Sequence, residues 1–334
     1  MMPLMTTTRE IRLASRPEGD LTPANMALVE VELPQPGEGE VLVRNEWMLM
    51  ASAYRDLMNE QPTLPIPGFQ IDQPLYGRAV GTVVSSNSPD LFEGDLVEHF
   101  FGWREHASGP AQAFRKVNRD LFPGAEYFLC NGPTAWQGIV DVAGVHEGDT
   151  VFVSGATTGV GSVAGQIAKA LGAKRVIGST GSKAKVDYLI EGLGFDAAFD
   201  YHDGPVLDQL RALAPEGISV FFDNVAGDQF EAAVQVATPF ARFALCGSLS
   251  GQLGAADTRL DTMTAIAKQL SIRGFACYHT PEQVDTWNEH FSRWLIEGRF
   301  VYPHTKVEGG ITKAADALIA LLDRQYSGNV VVQL

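Results

Sequence analysis

One stretch limits the fold more than any other: Asp149 to Gly172, DTVFVSGATTGVGSVAGQIAKALG. Thr150 to Ser154 are β-branched or apolar apart from the serine, which suits a buried parallel strand. The glycine-bearing turn Gly155 to Gly161 follows at once. Val163, Ile167, Ala170 and Leu171 then recur at helical spacing until Gly172 stops the helix. Strand, tight turn and helix in that order form a cradle for a diphosphate, because the first helical turn carries unpaired N–H groups and a partial positive charge, and glycines let a ligand approach the backbone. Ala156 and Thr158 stand where the strictest G-x-G-x-x-G form has glycines. A second strand, Arg175 to Thr180, nevertheless sits where a βαβ unit requires one. Thr158, Gly159, Val160 and Gly161 are therefore expected to hold a dinucleotide; the bland alternative is a glycine turn that only packs helix against strand.

The tip of the second strand indicates which dinucleotide. An NAD site offers a carboxylate to the ribose 2′-hydroxyl about twenty residues beyond the turn. Here the tip reads Gly178-Ser179-Thr180-Gly181-Ser182-Lys183-Ala184-Lys185, with no acid. A 2′-phosphate is repelled by Asp or Glu and well served by serine and lysine donors, so NADPH is the expected cofactor. The alternative is that Lys183 and Lys185 are solvated residues of a helix's first turn.

Twenty-five basic against 40 acidic residues leave a net charge of −15. That balance argues against nucleic acid and anionic membranes as partners, since both call for a basic footprint. The 334 residues leave room for two domains, and no run is apolar for long enough to span a membrane. Three cysteines, Cys130, Cys246 and Cys277, lie far apart with no paired framework, and the first residues do not read as a signal peptide. A reducing cytoplasm is the expected location.

Along the chain, Val29 to Leu33 and Val41 to Arg44 alternate as strands around a Pro34 to Gly39 turn. A short helical or loop stretch from Met50 to Met58 and an irregular Leu64 to Gln73 follow. Strands resume at Gly77 to Val84, Asp95 to Phe100 and near Ala113 to Val117. From Asn131 the composition changes to strand alternating with helix, which is the pattern of a parallel sheet covered on both faces. The tail from Ile311 reads as a helix and then a strand at Asn329 to Gln333.

Taken together, Asn131-Gly132-Pro133-Thr134-Ala135-Trp136, Glu147-Gly148-Asp149, the glycine turn, Gly181-Ser182-x-x-Lys185, Asp200-Tyr201, Phe222-Asp223-Asn224-Val225 and Cys246-Gly247 resemble the zinc-independent medium-chain dehydrogenase/reductases. The likeness is strongest to the NADPH-dependent alkenal, prostaglandin and curcumin reductases, and it covers nearly the whole chain. It implies an α/β fold in which a Rossmann-type doubly wound parallel sheet, residues 127–299, is joined to a GroES-like, mostly antiparallel β domain, residues 1–126 and 300–334. Carried over by position, Ser182 and Lys185 would hold the 2′-phosphate, aided by Gly181 and Tyr201. Asn224 would lie near a cofactor ribose, Thr134 near the nicotinamide, Cys246 and Gly247 along the nucleotide, and Asn329 near its nicotinamide half. Relatives are commonly homodimers.

The related zinc alcohol dehydrogenases carry Gly-His-Glu where this chain has Gly77-Arg78-Ala79, and none of the seven histidines lies at ligand spacing with a cysteine. No metal is expected. Carbonyl interconversion in such folds uses a Lewis acid, whereas a conjugated enone or enal accepts hydride at its β-carbon and spreads the charge into an enolate. Reduction of α,β-unsaturated ketones or aldehydes is the expected reaction, with quinone reduction or cofactor binding without turnover as alternatives. The tyrosine that alkenal and prostaglandin reductases place after the Cys-Gly strand is replaced near Gln252. Tyr54, followed by Arg55 much as in quinone reductases, is the expected proton donor or relay, with a bound water as the alternative donor and a purely structural role for Tyr54 equally open.

Overall fold

The computed structural model describes residues 6–249 and 257–334. The chain divides into two compact units, one made of residues 1–130 and 304–334, the other of residues 131–303.

Seven strands precede residue 131: β1 (Thr7–Leu13), β2 (Met26–Glu32), β3 (Glu40–Met50), β4 (Ala79–Ser86), β5 (Leu96–His99), β6 (His106–Pro110) and β7 (Arg115–Lys116). The second unit holds β8 (Thr150–Val153), β9 (Arg175–Thr180), β10 (Ala197–Asp200), β11 (Ile218–Asp223), β12 (Ala237–Leu245) and β13 (Ser271–Gly274). The tail returns to the first unit with β14 (His304–Val307) and β15 (Asn329–Gln333).

In the first unit β1 and β2 form an antiparallel hairpin, and a larger sheet runs β14-β15-β3-β4-β5-β7, with β6 paired to β3. Only β14 and β15 run parallel in it. Trp103, Phe69, Met48, Leu57 and Met58 fill its largest core, with Ile311 and Leu318 from the tail packed among them. Burying side chains of this size is worth about 2 kcal/mol each. This is a GroES-like sheet.

The second unit is one parallel sheet in the order β10-β9-β8-β11-β12-β13 with helices between successive strands. Its strands are buried along nearly their whole length at the centre, which is why β8 and β11 read as unbroken apolar runs. Phe152 and Phe221 stack 5.0 Å apart, and Phe243 meets Phe221 edge-on at 5.2 Å. From β8 the strand order runs outward through β9 on one side and through β11 on the other. The turn after β8 is thus the topological switch point at which doubly wound sheets open a crevice.

Several elements differ from the sequence expectation. The stretch that forms β6, His-Ala-Ser-Gly-Pro, has turn composition, yet it pairs with β3 from Glu40↔Pro110 to Arg44↔His106. The strand expected near Ala113 shrinks to Arg115–Lys116 against β5. β12 starts at Ala237 and carries a bulge, so that Ile218 pairs with Ala237 and Val220 with Arg242. The helices starting at Gly132 and Lys183 each widen into π-helical turns, Gln137–Val142 and Tyr188–Gly192.

Candidate functional site

The glycine turn is tied down from below and open above. Gly155 takes φ +57°, its N–H donates to Ser179 Oγ at 3.2 Å, and Ala156 N–H donates to the Ser179 carbonyl at 2.8 Å. Thr157 is buried against Thr180, Oγ1 to Oγ1 at 2.8 Å. Thr158, Gly159 and Val160 form the half-exposed lip. Thr158 is already used locally: its Oγ1 accepts the Gly161 N–H at 3.1 Å, where the helix Gly161–Ala170 begins. A Cβ at Gly161 would lie 2.4 Å from the Gly155 carbonyl oxygen, so only glycine closes this turn.

Behind the turn, one buried aspartate gathers the ends of three strands, β8 and β11 through its carboxylate and β12 through its main-chain carbonyl. Asp223, 1% exposed, accepts on Oδ1 from Ser154 Oγ at 2.7 Å and from the N–H groups of Val225 and Ala226 at 2.9 Å each. Burial pushes this carboxyl above the usual range against the pull of those donors. The Asp223 carbonyl accepts the N–H groups of Cys246 and Gly247 at 2.8 and 3.0 Å. Asn224 is buried, and its Nδ2 donates to the Ser154 carbonyl at 2.7 Å. Its side chain therefore locks the end of β8, a positioning task that the expectation of a ribose contact did not include.

The β9 and β10 ends bring a second group together. Asp200 pairs with Thr180 across the ladder, and Tyr201 N–H donates to the Thr180 carbonyl at 3.0 Å. This sets the Tyr201 hydroxyl beside Gly181, where a Cβ would sit 2.8 Å from it. Ser182 Oγ accepts the Lys185 N–H at 3.4 Å as the cap of the helix Lys183–Asp187. Accepting through oxygen leaves the hydroxyl proton able to donate outward. Lys183 is paired with Asp187 at 3.0 Å and exposed, which is the solvated role left open for it.

At the opposite edge, Thr134 Oγ1 lies 3.0 Å from His279 Nε2. Cys246 and Thr134 both act on the Cys277 thiol and hold it below its ordinary value. Gln252 lies outside the described residues.

In the other unit, Tyr54 stands in the core, 6% exposed, against Trp103 at 5.7 Å and Phe69 at 6.0 Å. Its hydroxyl donates to the Leu49 carbonyl at 3.1 Å, and burial pushes the phenol well above its ordinary value. A Cβ at Gly77 would lie 2.1 Å from that hydroxyl, so Gly77 and Tyr54 fit as a pair. This surrounding favours packing over the expected proton delivery, because a buried phenol already bonded to a carbonyl gives up its proton reluctantly. Trp103 and Phe69 are themselves buried in this core. Asn329 is buried at the start of β15, opposite His304.

The family model described as the N-terminal domain of oxidoreductase matches residues 9–117, and the one described as zinc-binding dehydrogenase matches residues 159–295. The chain is 30% identical to the NADPH-dependent curcumin reductase of Escherichia coli (strain K12) over 96% of this chain and 95% of the relative. It is equally similar, at 30%, to the NADP(+)-dependent 2-alkenal reductase of Nicotiana tabacum, covering 95% and 93%. The crystal structure of CurA from Vibrio vulnificus in complex with NADPH superposes with a TM-score of 0.89 at 30% identity, over 97% and 98% of the two chains. The chain belongs to the zinc-independent medium-chain dehydrogenase/reductases.

Within this family the triplet Gly77-Arg78-Ala79 acquires a physical meaning. Arg78, where the zinc enzymes have histidine, donates to the Phe128 carbonyl at 2.7 Å and pairs with Glu98 at 3.1 Å. Among the described residues no group of three or more His, Cys, Asp or Glu side chains is set to hold a metal ion.

Four residues of this candidate site escaped sequence reasoning. Ser154 and Asp223 sit inside quoted motifs, yet nothing local announced that they bond each other across 69 positions. Cys277 and His279 fall in a stretch without periodicity, and only the pairing of β12 with β13 brings them to Cys246 and Thr134.

Proposed function

We propose that this chain binds NADPH at the turn after β8 and reduces the carbon–carbon double bond of α,β-unsaturated ketones or aldehydes. The observation that carries the cofactor half is the β9 tip: the Tyr201 hydroxyl beside Gly181, Ser182 and Lys185 directly following, and no carboxylate in the Gly178 to Lys185 stretch. Such a set attracts a 2′-phosphate and lacks the carboxylate with which NAD sites hold the ribose diol. The turn fits a diphosphate as well. Its lip is accessible, and Ser162, in the first turn of the following helix, has a buried hydroxyl without a hydrogen-bond partner.

When bound, NADPH supplies the hydride. The chain's own part is to orient: Thr158 to Gly161 at the diphosphate, Gly181, Ser182, Lys185 and Tyr201 at the 2′-phosphate, and Cys246 and Gly247 through backbone held by Asp223. Asn224 acts through Ser154, and Thr134 stands at the other end of the same sheet. The names of the curcumin and alkenal reductases support an enone or enal as the substrate. A stopped-flow assay of NADPH oxidation against enone and quinone panels tests the reading. Consumption with enones is the expected result, and consumption with quinones alone would overturn it.

A homodimer and a cytoplasmic location belong to the same proposal. β13 is the edge of the sheet, and Phe240, Met263 and Ile266 nearby are 65%, 72% and 68% exposed, an apolar surface that a second copy would cover. Light scattering on the purified chain should give twice the monomer mass. No helix among the described residues is long and apolar enough to cross a membrane.

A further inference from the structure

β12 and β13 run parallel and end together: Leu245 pairs with Gly274, and Phe275 N–H donates to the Leu245 carbonyl at 3.3 Å. The two chains then leave the sheet side by side. Cys246 follows β12 directly and Cys277 follows β13 by three residues, so two cysteines that are 31 positions apart in sequence meet above one sheet edge. The Cys246 thiol and the Thr134 hydroxyl both face the Cys277 sulfur closely enough to act on its protonation. His279 Nε2, 3.0 Å from Thr134 Oγ1, closes the cluster.

The two thiols are not equivalent. Cys277 is exposed, whereas Cys246 is partly buried and its N–H is held by the Asp223 carbonyl. Donation from Cys246, and then from Thr134, holds the Cys277 thiol down at about 7, while the same bond and burial push Cys246 up. One sulfur is thus accessible and acidic, and the other waits protonated within reach. Cys277 also lies in a segment without regular structure, which leaves its backbone room to reach disulfide geometry.

We propose that Cys246 and Cys277 form a reversible intramolecular disulfide when the protein meets a peroxide. The Cys277 thiolate attacks one peroxide oxygen, the O–O bond breaks, and hydroxide leaves to give the sulfenic acid. The Cys246 sulfur then displaces the sulfenic oxygen, the S–S bond forms, and the Cys246 proton leaves with that oxygen as water. Two thiols lose two electrons and the peroxide becomes two waters; a dithiol reductant reverses the change. Such a pair is what an exposed low-pKa thiol beside a resolving thiol provides in a reducing compartment.

The test uses the full-length chain treated with hydrogen peroxide, acid-quenched, unfolded, alkylated and mapped by mass spectrometry. A peptide pair linking Cys246 to Cys277 is expected in most molecules, with Cys130, which is buried, fully alkylated, and dithiothreitol should erase the link. The rate should rise about tenfold between pH 6 and pH 7.5 as the thiolate forms. Cys130→Ser should keep the link and Cys277→Ser should abolish it, leaving Cys246 alkylatable. As a check that does not depend on oxidation, phenylarsine oxide should add once to the native chain and not to Cys277→Ala, with circular dichroism confirming that both are folded. Overoxidised Cys277 beside an alkylatable Cys246, or links only between chains, would overturn the proposal.

Discussion

Two buried aspartates clamp the same three strands at opposite ends, and they do it with different chemistry. Asp149, 3% exposed at the entry to β8, takes the Arg242 guanidinium of β12 at 2.5 Å and the Ser219 hydroxyl of β11 at 2.7 Å. Asp223, at the exit of β11, takes only neutral donors. The first is an ion pair that binds strands together far from the glycine turn. The second arranges backbone, because its partners are the residues that follow β8 and β11. A clamp that must shape a loop gains from several amides converging on one oxygen, whereas a clamp that must only hold a sheet gains from charge.

Asp149→Ala should produce the largest effect. It removes the buried acceptor shared by the part-exposed Arg242 guanidinium, the Ser219 hydroxyl and the His146 amide, so a loss of roughly 4 kcal/mol is expected in urea unfolding, with NADPH affinity of the folded fraction unchanged within about twofold. Asp223→Ala should cost roughly 3 kcal/mol, since it orphans a hydroxyl and two amides. It should also weaken NADPH binding by at least about tenfold, or 1.4 kcal/mol, in a fluorescence titration. If both variants lose affinity equally, the two clamps do the same job and the contrast fails.

Asparagine sharpens the comparison. Asp149→Asn leaves Arg242 without its counter-charge and should remain costly, while Asp223→Asn keeps an acceptor oxygen and strands no cation, so a loss below about 1 kcal/mol is expected. Asp223 also carries a pH signature. Its folded pKa is raised, so its contribution is fully present below the unfolded carboxylate value and is lost as pH climbs through the folded one. The stability gap between wild type and Asp223→Asn should therefore shift toward the variant as pH rises from about 3 into the neutral range. A gap that is constant across that range would mean that burial does not raise this carboxyl.

Away from the clamps the effects shrink. Lys185→Ala should weaken NADPH about tenfold and leave NADH unchanged, a loss of one charge-assisted contact to phosphate. Equal weakening of both cofactors would move Lys185 out of the phosphate site. Tyr54→Phe removes one hydrogen bond to Leu49 and should cost about 1 kcal/mol in thermal unfolding while turnover stays within about twofold. A turnover collapse without loss of stability would restore Tyr54 to proton delivery.

What could be read in advance follows the range over which its cause operates. The strand-turn-helix at Thr150 to Leu171, the Ser182 and Lys185 pair and the closing helix and strand of the tail each depend on neighbours within a few turns of chain, and periodicity records such causes. β6 was hidden because its composition is that of a turn and its pairing with β3 is a long-range choice. The same holds for Arg78, whose guanidinium answers to Phe128 and Glu98 rather than to its own strand.

By itself the sequence determined the parallel sheet, the strand-turn-helix after β8 and the acid-free, lysine-bearing tip of β9, because all three reside in contiguous residues. Tertiary structure alone decided that Asn224 braces β8, that Tyr54 is enclosed with Gly77, and that Cys246 meets Cys277. Those outcomes depend on which strands become neighbours. That choice is made by burial of whole faces of a sheet, and no single stretch of chain carries it.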